Sequence, residues 1–339
     1  IADKLARAEG RMHCDYAFYV GATAENAGRL AELENLPGVC GVKAFLGSST
    51  GSLLLADEKD IAAALSSGRR RMAVHSEDNA RLEARKGLRV TGDVRSHAVW
   101  RDAETARLST ERILRLARAA GRKIHVLHVS TAEELPLLAA ARDIASVEAT
   151  PQHLTLAAPE CYERLGTLAE MNPPIRGPEV REALWRAVRD GLVDVIGSDH
   201  APHTREEKAK AYPASPSGMP GVQTLVPVML DHVAAGRLSL ARFVDLTSAG
   251  PARLFGIKGK GRISAGFDAD FTVVDLKAER RIENAWIASK AAWTPFDGMA
   301  VQGWPVATLV RGRIAMREGE IAPVAAGRPI GFLSGYNQR

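Results

Sequence analysis

The sequence has only three cysteines, Cys14, Cys40 and Cys161, far apart and without a Cys-x-x-Cys spacing. That excludes a disulfide framework as the organising principle and makes a reducing cytoplasm the natural setting. No apolar stretch approaches the roughly 20 residues needed to cross a bilayer, so no membrane span is expected. No secretory signal is visible, although a start reading "IADKLARAEG" has no Met. Internal repeats and low-complexity segments are also lacking. The net charge of +5 does not form a basic stripe. Its Lys and Arg are interleaved with acids in stretches such as "RDAETARLSTERILRLARAAGRK", a pattern of solvated helix faces rather than a phosphate-tracking surface, so no nucleic-acid partner is expected.

What is present is a soluble composition, 46% hydrophobic and 25% charged over 339 residues, enough for one large barrel or two ordinary domains. Short apolar runs, "GVKAFL" (41–46), "RMAVH" (71–75), "KIHVLHV" (123–129), "IASVEAT" (144–150) and "VDVIG" (193–197), alternate with amphipathic stretches. Those stretches include "DEKDIAAALSSG", "AETARLSTERILRLARAAG" and "PEVREALWRAVRDG". Strand-then-helix alternation predicts a parallel sheet, and several units over this length favour a (β/α) barrel. Ser130 and Glu133 in "STAEE" have capping-box spacing and predict a helix start there. After "GPARLFGI" the pattern changes to short strands with Gly-Asp turns, a small β-rich appendage over roughly 258–325.

Four apolar runs carry a group that could hold a metal. Lys43 lies in "GVKAFL", His75 ends "MAVH", His128 lies in "HVLHVS", and Asp199 follows "VDVIG" in the dense "VIGSDHAPH". In a β/α barrel the strand ends share one mouth, so residues distant in sequence would converge there. Imidazole nitrogen and carboxylate oxygen suit zinc. A cationic Lys is no ligand, but an amine that has added CO₂ is an anionic carbamate able to bridge two cations, and an apolar strand favours the neutral amine that reaction needs. Taken singly, each residue has a plainer role: a hydrogen-bonded strand-end His, a snorkelling Lys, an N-cap Asp. The case rests on four of them at corresponding places in successive βα units. His125, three residues before His128, is assigned by strand alternation to the opposite, helix-facing side as a structural residue, and His13, His97 and His232 are read as structural too.

These residues sit in stretches that resemble bacterial dihydroorotase, in the cyclic amidase group of the amidohydrolase superfamily. The matching segments are "GVKAFLGSSTGSLL", "VHSED", "HVLHVSTAEEL", "TPQHLTL", "MNPPIRG", "GLVDVIGSDHAPHTREEK", "PSGMPGVQT", "GPARLFGIKGKGRISAGFDADFTVVD" and "WTPFDGMAVQGWPVATLVRG", in family order. The resemblance implies a distorted (β/α)8 TIM barrel with a C-terminal β-sandwich appendage and a zinc centre of one or two ions. It implies interconversion of N-carbamoyl-L-aspartate and dihydroorotate in pyrimidine synthesis. Carried over by motif, Lys43 is the carboxylated bridging lysine and His75 and His128 hold one zinc. Asp199 holds the other and acts as general base and acid. His203 binds the substrate carboxylate, and Asn172, Ser217 and Gly218 hold the ring amide.

The departure lies at the start. The family's His-x-His pair on the first barrel strand has no counterpart before "GVKAFL", and the chain aligns from about the third βα unit. The expected layout is therefore an N-terminally incomplete barrel over 1–257 and a β-rich appendage with tail over 258–339. Other cyclic amidases (hydantoinase, dihydropyrimidinase, allantoinase) share this metal chemistry. A non-catalytic partner of aspartate transcarbamoylase would lack His-x-His too, but would have little reason to keep the other site residues together. A homodimer or higher assembly is expected, with a small-molecule substrate.

Overall fold

All five apolar runs, and the earlier "HCDYAFYVGA" stretch, form strands of one parallel sheet. In a computed structural model covering residues 1–49, 51 and 53–333 they are β1 (Phe18–Gly21), β2 (Val39–Phe45), β3 (Met72–His75), β4 (Ile124–Val126), β5 (Ala145–Ala149) and β6 (Val195–Ile196). Thr50 and Ser52 of "GSSTGSLL", and 334–339 of the expected C-terminal segment, lie outside the described residues. Each strand pairs in parallel with its sequence neighbour, in the order β1-β2-β3-β4-β5-β6. The result is a half-barrel of six strands, and among the described residues β1 and β6 do not pair with each other.

Helices return the chain between strands and cover one face. The longest, Ala103–Ala120, starts where the Asp102 carboxylate accepts the Thr105 N–H at 3.0 Å and ends on Gly121, whose φ of 64° suits a residue without Cβ. Ile113 and Ala117 on its inner face are fully buried in the main core. Burying a side chain the size of Ile113 stabilises by about 1.5–3 kcal/mol. The helix expected at "STAEE" spans Glu134–Ala139 and starts three residues later than a cap at Ser130 with Glu133 implies. There Thr131, not Ser130, accepts the Glu134 N–H (3.3 Å), and the Glu134 side chain turns inward to take the Thr110 hydroxyl at 2.7 Å. That buried partner shifts the cap. Among the described residues no helix is long and apolar enough to cross a membrane.

The β-rich C-terminal region is a four-stranded antiparallel sheet of β7 (Phe271–Arg281), β8 (Ala300–Val310), β9 (Arg313–Arg317) and β10 (Glu320–Ile321), in the order β10-β9-β8-β7. β7 and β8 run to 11 residues each, longer than the short strands expected, with register shifts along their pairing. Arg311 and Gly312, both at positive φ, make the two-residue turn into β9. Near this sheet an ionic cluster ties distant parts of the chain together. Lys260 Nζ lies 2.7 Å from Asp15 and 2.9 Å from Asp268 and also contacts Asp270, while Arg311 pairs with Asp15.

Candidate metal centre and ring-binding loop

His75 is the last residue of β3, and His128 follows the end of β4 by two residues. Because the strands run in parallel, both rings emerge at the same sheet edge. His75 Nδ1 lies 3.2 Å from His128 Nε2, with the rings edge to face. The other nitrogen of His75, Nε2, is 2.9 Å from Glu77 Oε2, and Glu77 in turn pairs with Arg101, which also donates to the Ser48 carbonyl at 2.6 Å. His75, Glu77 and Arg101 are all buried. A carboxylate only accepts, so His75 Nε2 carries the proton and Nδ1 keeps its lone pair. Burial holds both imidazoles below their ordinary pKa, and for His128 the neighbouring His75 and Lys43 add to that. Glu77 falls to about 2: burial alone would raise it, but Arg101 and then His75 outweigh burial.

Lys43 lies on β2 opposite Ala73 of β3, its ammonium 4.5 Å from the Phe45 ring centroid. Burial lowers its pKa to about 8, against the pull of Asp199 and Glu148. Asp199, three residues past β6, is raised to about 6 by burial, with Lys43 opposing and Glu148 reinforcing. His128 and Asp199 have φ of 37° and 40°, left-handed backbone that His and Asp tolerate better than most residues. Lys43 is thus electrostatically coupled to the histidine pair on one side and to Asp199 on the other. Among the described residues, no three His, Cys, Asp or Glu at this edge have ligand atoms within 4.8 Å of one another. The histidines meet directly, and Asp199 stands apart from them with Lys43 as the shared neighbour.

One residue faces the other way from its expected side. His125 pairs across the sheet with Ala73, which itself pairs with Lys43, so all three share the inner face. Its Nδ1 is 2.8 Å from Ser146 Oγ and its Nε2 3.3 Å from Glu148. Simple alternation fails because regular strand geometry ends at Val126 and the chain turns through the positive φ of His128.

The remaining sequence candidates lie on loops. His203 Nε2 is 3.2 Å from the Ser217 carbonyl. Gly218 has φ 142°, and a Cβ there would come within 2.7 Å of the Ala201 carbonyl and 3.2 Å of the His203 ring. The 215–219 loop therefore packs on the "SDHAPH" turn only because that position is glycine. Asn172 stands on a separate loop, its Oδ1 2.9 Å from His97 Nε2 and its Nδ2 3.3 Å from Ser49 Oγ. Sequence reasoning missed Glu77, Arg101, Glu170 and Lys208, and took His97 as structural only. Glu77 had a usable signal, two residues after His75 in "VHSED". The others reach the site through tertiary contacts with no local pattern.

The chain matches the amidohydrolase family over residues 94–315. It is 37% identical over 276 residues to a dihydroorotase of Methanothermobacter thermautotrophicus, an alignment covering 81% of this chain and 62% of that protein. With a dihydroorotase of Methanosarcina mazei the identity is 36% over 335 residues, 94% of this chain and 72% of the relative. Among solved structures, an L-hydantoinase (dihydropyrimidinase) from Arthrobacter aurescens superposes with a TM-score of 0.90 at 28% identity, covering 97% of this chain and 76% of that one. With a fold, a strand-end histidine pair and sequence relatives of this kind, the chain belongs to the amidohydrolase family. It spans only part of the length of the curated dihydroorotases it resembles.

Proposed function

We propose that this chain carries the metal centre and ring-binding loop of a zinc-dependent dihydroorotase, built on a distorted (β/α)8 barrel of which the half-barrel sheet is part. The observation that carries the metal reading is the 3.2 Å between His75 Nδ1 and His128 Nε2. Two nitrogens bound to one tetrahedral zinc at about 2.0–2.1 Å would stand about 3.3 Å apart. The buried Glu77 behind His75 is the carboxylate partner that orients a metal-binding imidazole. Lys43, His75, His128 and Asp199 would hold one or two zinc ions, with Lys43 carboxylated. The Lys43 amine, at about 8, is neutral often enough near pH 7 to add CO₂.

Bound zinc would supply Lewis acidity toward the ring carbonyl and a more acidic water. The chain's own groups do the rest. Asp199, poised at about 6, takes a proton from the attacking water and delivers it to the ring nitrogen as the C–N bond breaks; ring closure runs the same transfers backward. His203 would meet the substrate carboxylate, and Asn172, Ser217 and Gly218 the ring amide. A cytoplasmic, homo-oligomeric enzyme of pyrimidine synthesis fits this reading, with aspartate transcarbamoylase a further candidate partner. The similarity to the Arthrobacter L-hydantoinase favours a second reading, a different cyclic amidase with the same centre. Ring opening of dihydroorotate, hydantoin, dihydrouracil and allantoin by the zinc-loaded protein separates the two. Dihydroorotate is expected to give the highest kcat/KM, and faster turnover of hydantoin or dihydrouracil would overturn the first reading.

A further inference from the structure

The ring-binding loops are wired to two buried groups that take no part in the metal chemistry. His97 Nε2 faces the Met171 carbonyl at 3.1 Å and Asn172 Oδ1 at 2.9 Å. A backbone carbonyl only accepts, so Nε2 must carry the proton, and the Asn172 atom that shares it must be oxygen. The Asn172 amide is thereby locked with its NH₂ turned away from His97, on the side of Ser49. Glu170, two residues earlier and 3% exposed, works on the other loop. Its carboxylate takes the Ser215 hydroxyl at 2.5 Å and the Ser217 hydroxyl at 2.9 Å, and its carbonyl takes the Gly218 N–H at 2.9 Å and Lys208 Nζ at 3.0 Å. Ser217 has one hydroxyl proton, and it is committed to Glu170. What Ser217 Oγ has left for a ligand is lone pairs.

We propose that His97 and Glu170 are positioning residues that fix the hydrogen-bond polarity of the ring site, Asn172 Nδ2 as donor and Ser217 Oγ as acceptor. The ligand class this selects has a carbonyl oxygen and an N–H in one ring, the edge of a cyclic amide or ureide. Lactones and ring-N-alkylated analogues lack the N–H that Ser217 accepts. The inference rests on the cyclic amidase reading and adds the origin of its selectivity. Either buried group can be changed without touching a proposed metal ligand. In Glu170→Gln a carboxamide replaces an acceptor-only group, so one serine hydroxyl must reverse. Asn172→Asp puts an oxygen where the donor stood, at a partly exposed position.

The test is calorimetric binding of L-dihydroorotate to the zinc-loaded full chain, with KM and kcat beside it, and ¹⁵N NMR of the His97 ring. Expected are Nε2–H at His97 and a loss of dihydroorotate affinity of about tenfold or more in Asn172→Asp and Glu170→Gln, falling on KM more than on kcat. In a Ser217→Ala background the Glu170→Gln effect should shrink to less than about threefold, because the partner it acts through is gone. A merely structural Glu170 would cost the same in both backgrounds. If the wild type binds the ring and both variants bind within twofold of it, or His97 carries its proton on Nδ1, the polarity assignment is overturned and the amidase reading stands. If the wild type binds and opens no cyclic amide or ureide, the amidase reading falls, and this inference with it.

Discussion

Two clusters of charged side chains invite opposite conclusions by distance and by chemistry. Asp15, Asp268 and Asp270 place their oxygens within 4.8 Å of one another, the spacing of a cation site. Yet Lys260 reaches all three and Arg311 takes Asp15, so the cation is already supplied by the chain. The sheet edge with Lys43, His75, His128 and Asp199 has no such trio, but its imidazoles are buried and held toward the neutral form, His75 is backed by Glu77, and its lysine is pushed toward the neutral amine. The first cluster is electrically satisfied. The second is a set of lone pairs held open. Proximity of acidic oxygens alone is a poor guide to a metal unless the positive charges nearby are counted with them.

The contrast can be broken from either side, and the largest effect should come from Glu77. Glu77→Gln leaves the buried Arg101 without its counter-charge and His75 without its orienting carboxylate, and is expected to cost about 3–5 kcal/mol of stability in chemical unfolding. Zinc affinity measured by competition should fall about 10–100-fold. Asp199→Asn removes the proposed proton carrier and should lower kcat about 100-fold while the fold stays intact. A near-normal kcat would take Asp199 out of that role. Lys260→Ala should destabilise by about 1–3 kcal/mol, since three carboxylates are left facing one another. In that variant alone, millimolar calcium should raise the melting temperature, because oxygen ligands suit that ion. Equal calcium effects on wild type and variant would show that Lys260 is not what fills the cluster.

The smallest effect comes with pH and sets buried histidines outside both clusters against Asp15 of the first. His97 is held down to about 3 and His153 and His232 to about 4, burial being the main cause in each. The unfolded chain binds protons at these rings below about 6.5, while the folded chain stays neutral there. Stability is therefore lost as pH falls from about 6.5 toward 4, by about 1 kcal/mol or more per ring. Asp15 works in the same direction but from another cause and in a lower pH window. Burial works against it, but Arg311 and Lys260 hold it below its ordinary 3.8, so its contribution persists above that pH and is lost only below it. Melting temperature recorded between pH 7 and 4.5 should drop in wild type and drop less in His232→Gln. Identical slopes would mean that His232 titrates alike in folded and unfolded chains.

Most of the scaffold was legible because apolar runs and helical stretches alternate so regularly. Every predicted run became a strand, in order. The candidate ligands were visible through their place at strand ends, which is a local signal. What stayed hidden depends on contacts between distant segments. Arg101 reaches Glu77 across 24 positions, and His97 reaches Asn172 across 75. His125 was put on the wrong face because alternation holds only while the strand lasts. The cap expected at Ser130 moved to Thr131 and the helix began at Glu134, whose side chain found a buried partner in Thr110.

Gly218 has a consequence for how such a protein can change over generations. A Cβ at that position would strike the Ala201 carbonyl, and its backbone angle strains any side chain. Descent with altered ring preference cannot pass through position 218 without first moving the "SDHAPH" turn, and that turn carries the proposed proton carrier Asp199. The open routes run through the proposed ring contacts Ser217 and Asn172, or through the buried partners proposed to set their polarity. Variation in what this lineage can bind is channelled into a few positions, several of them hidden from solvent.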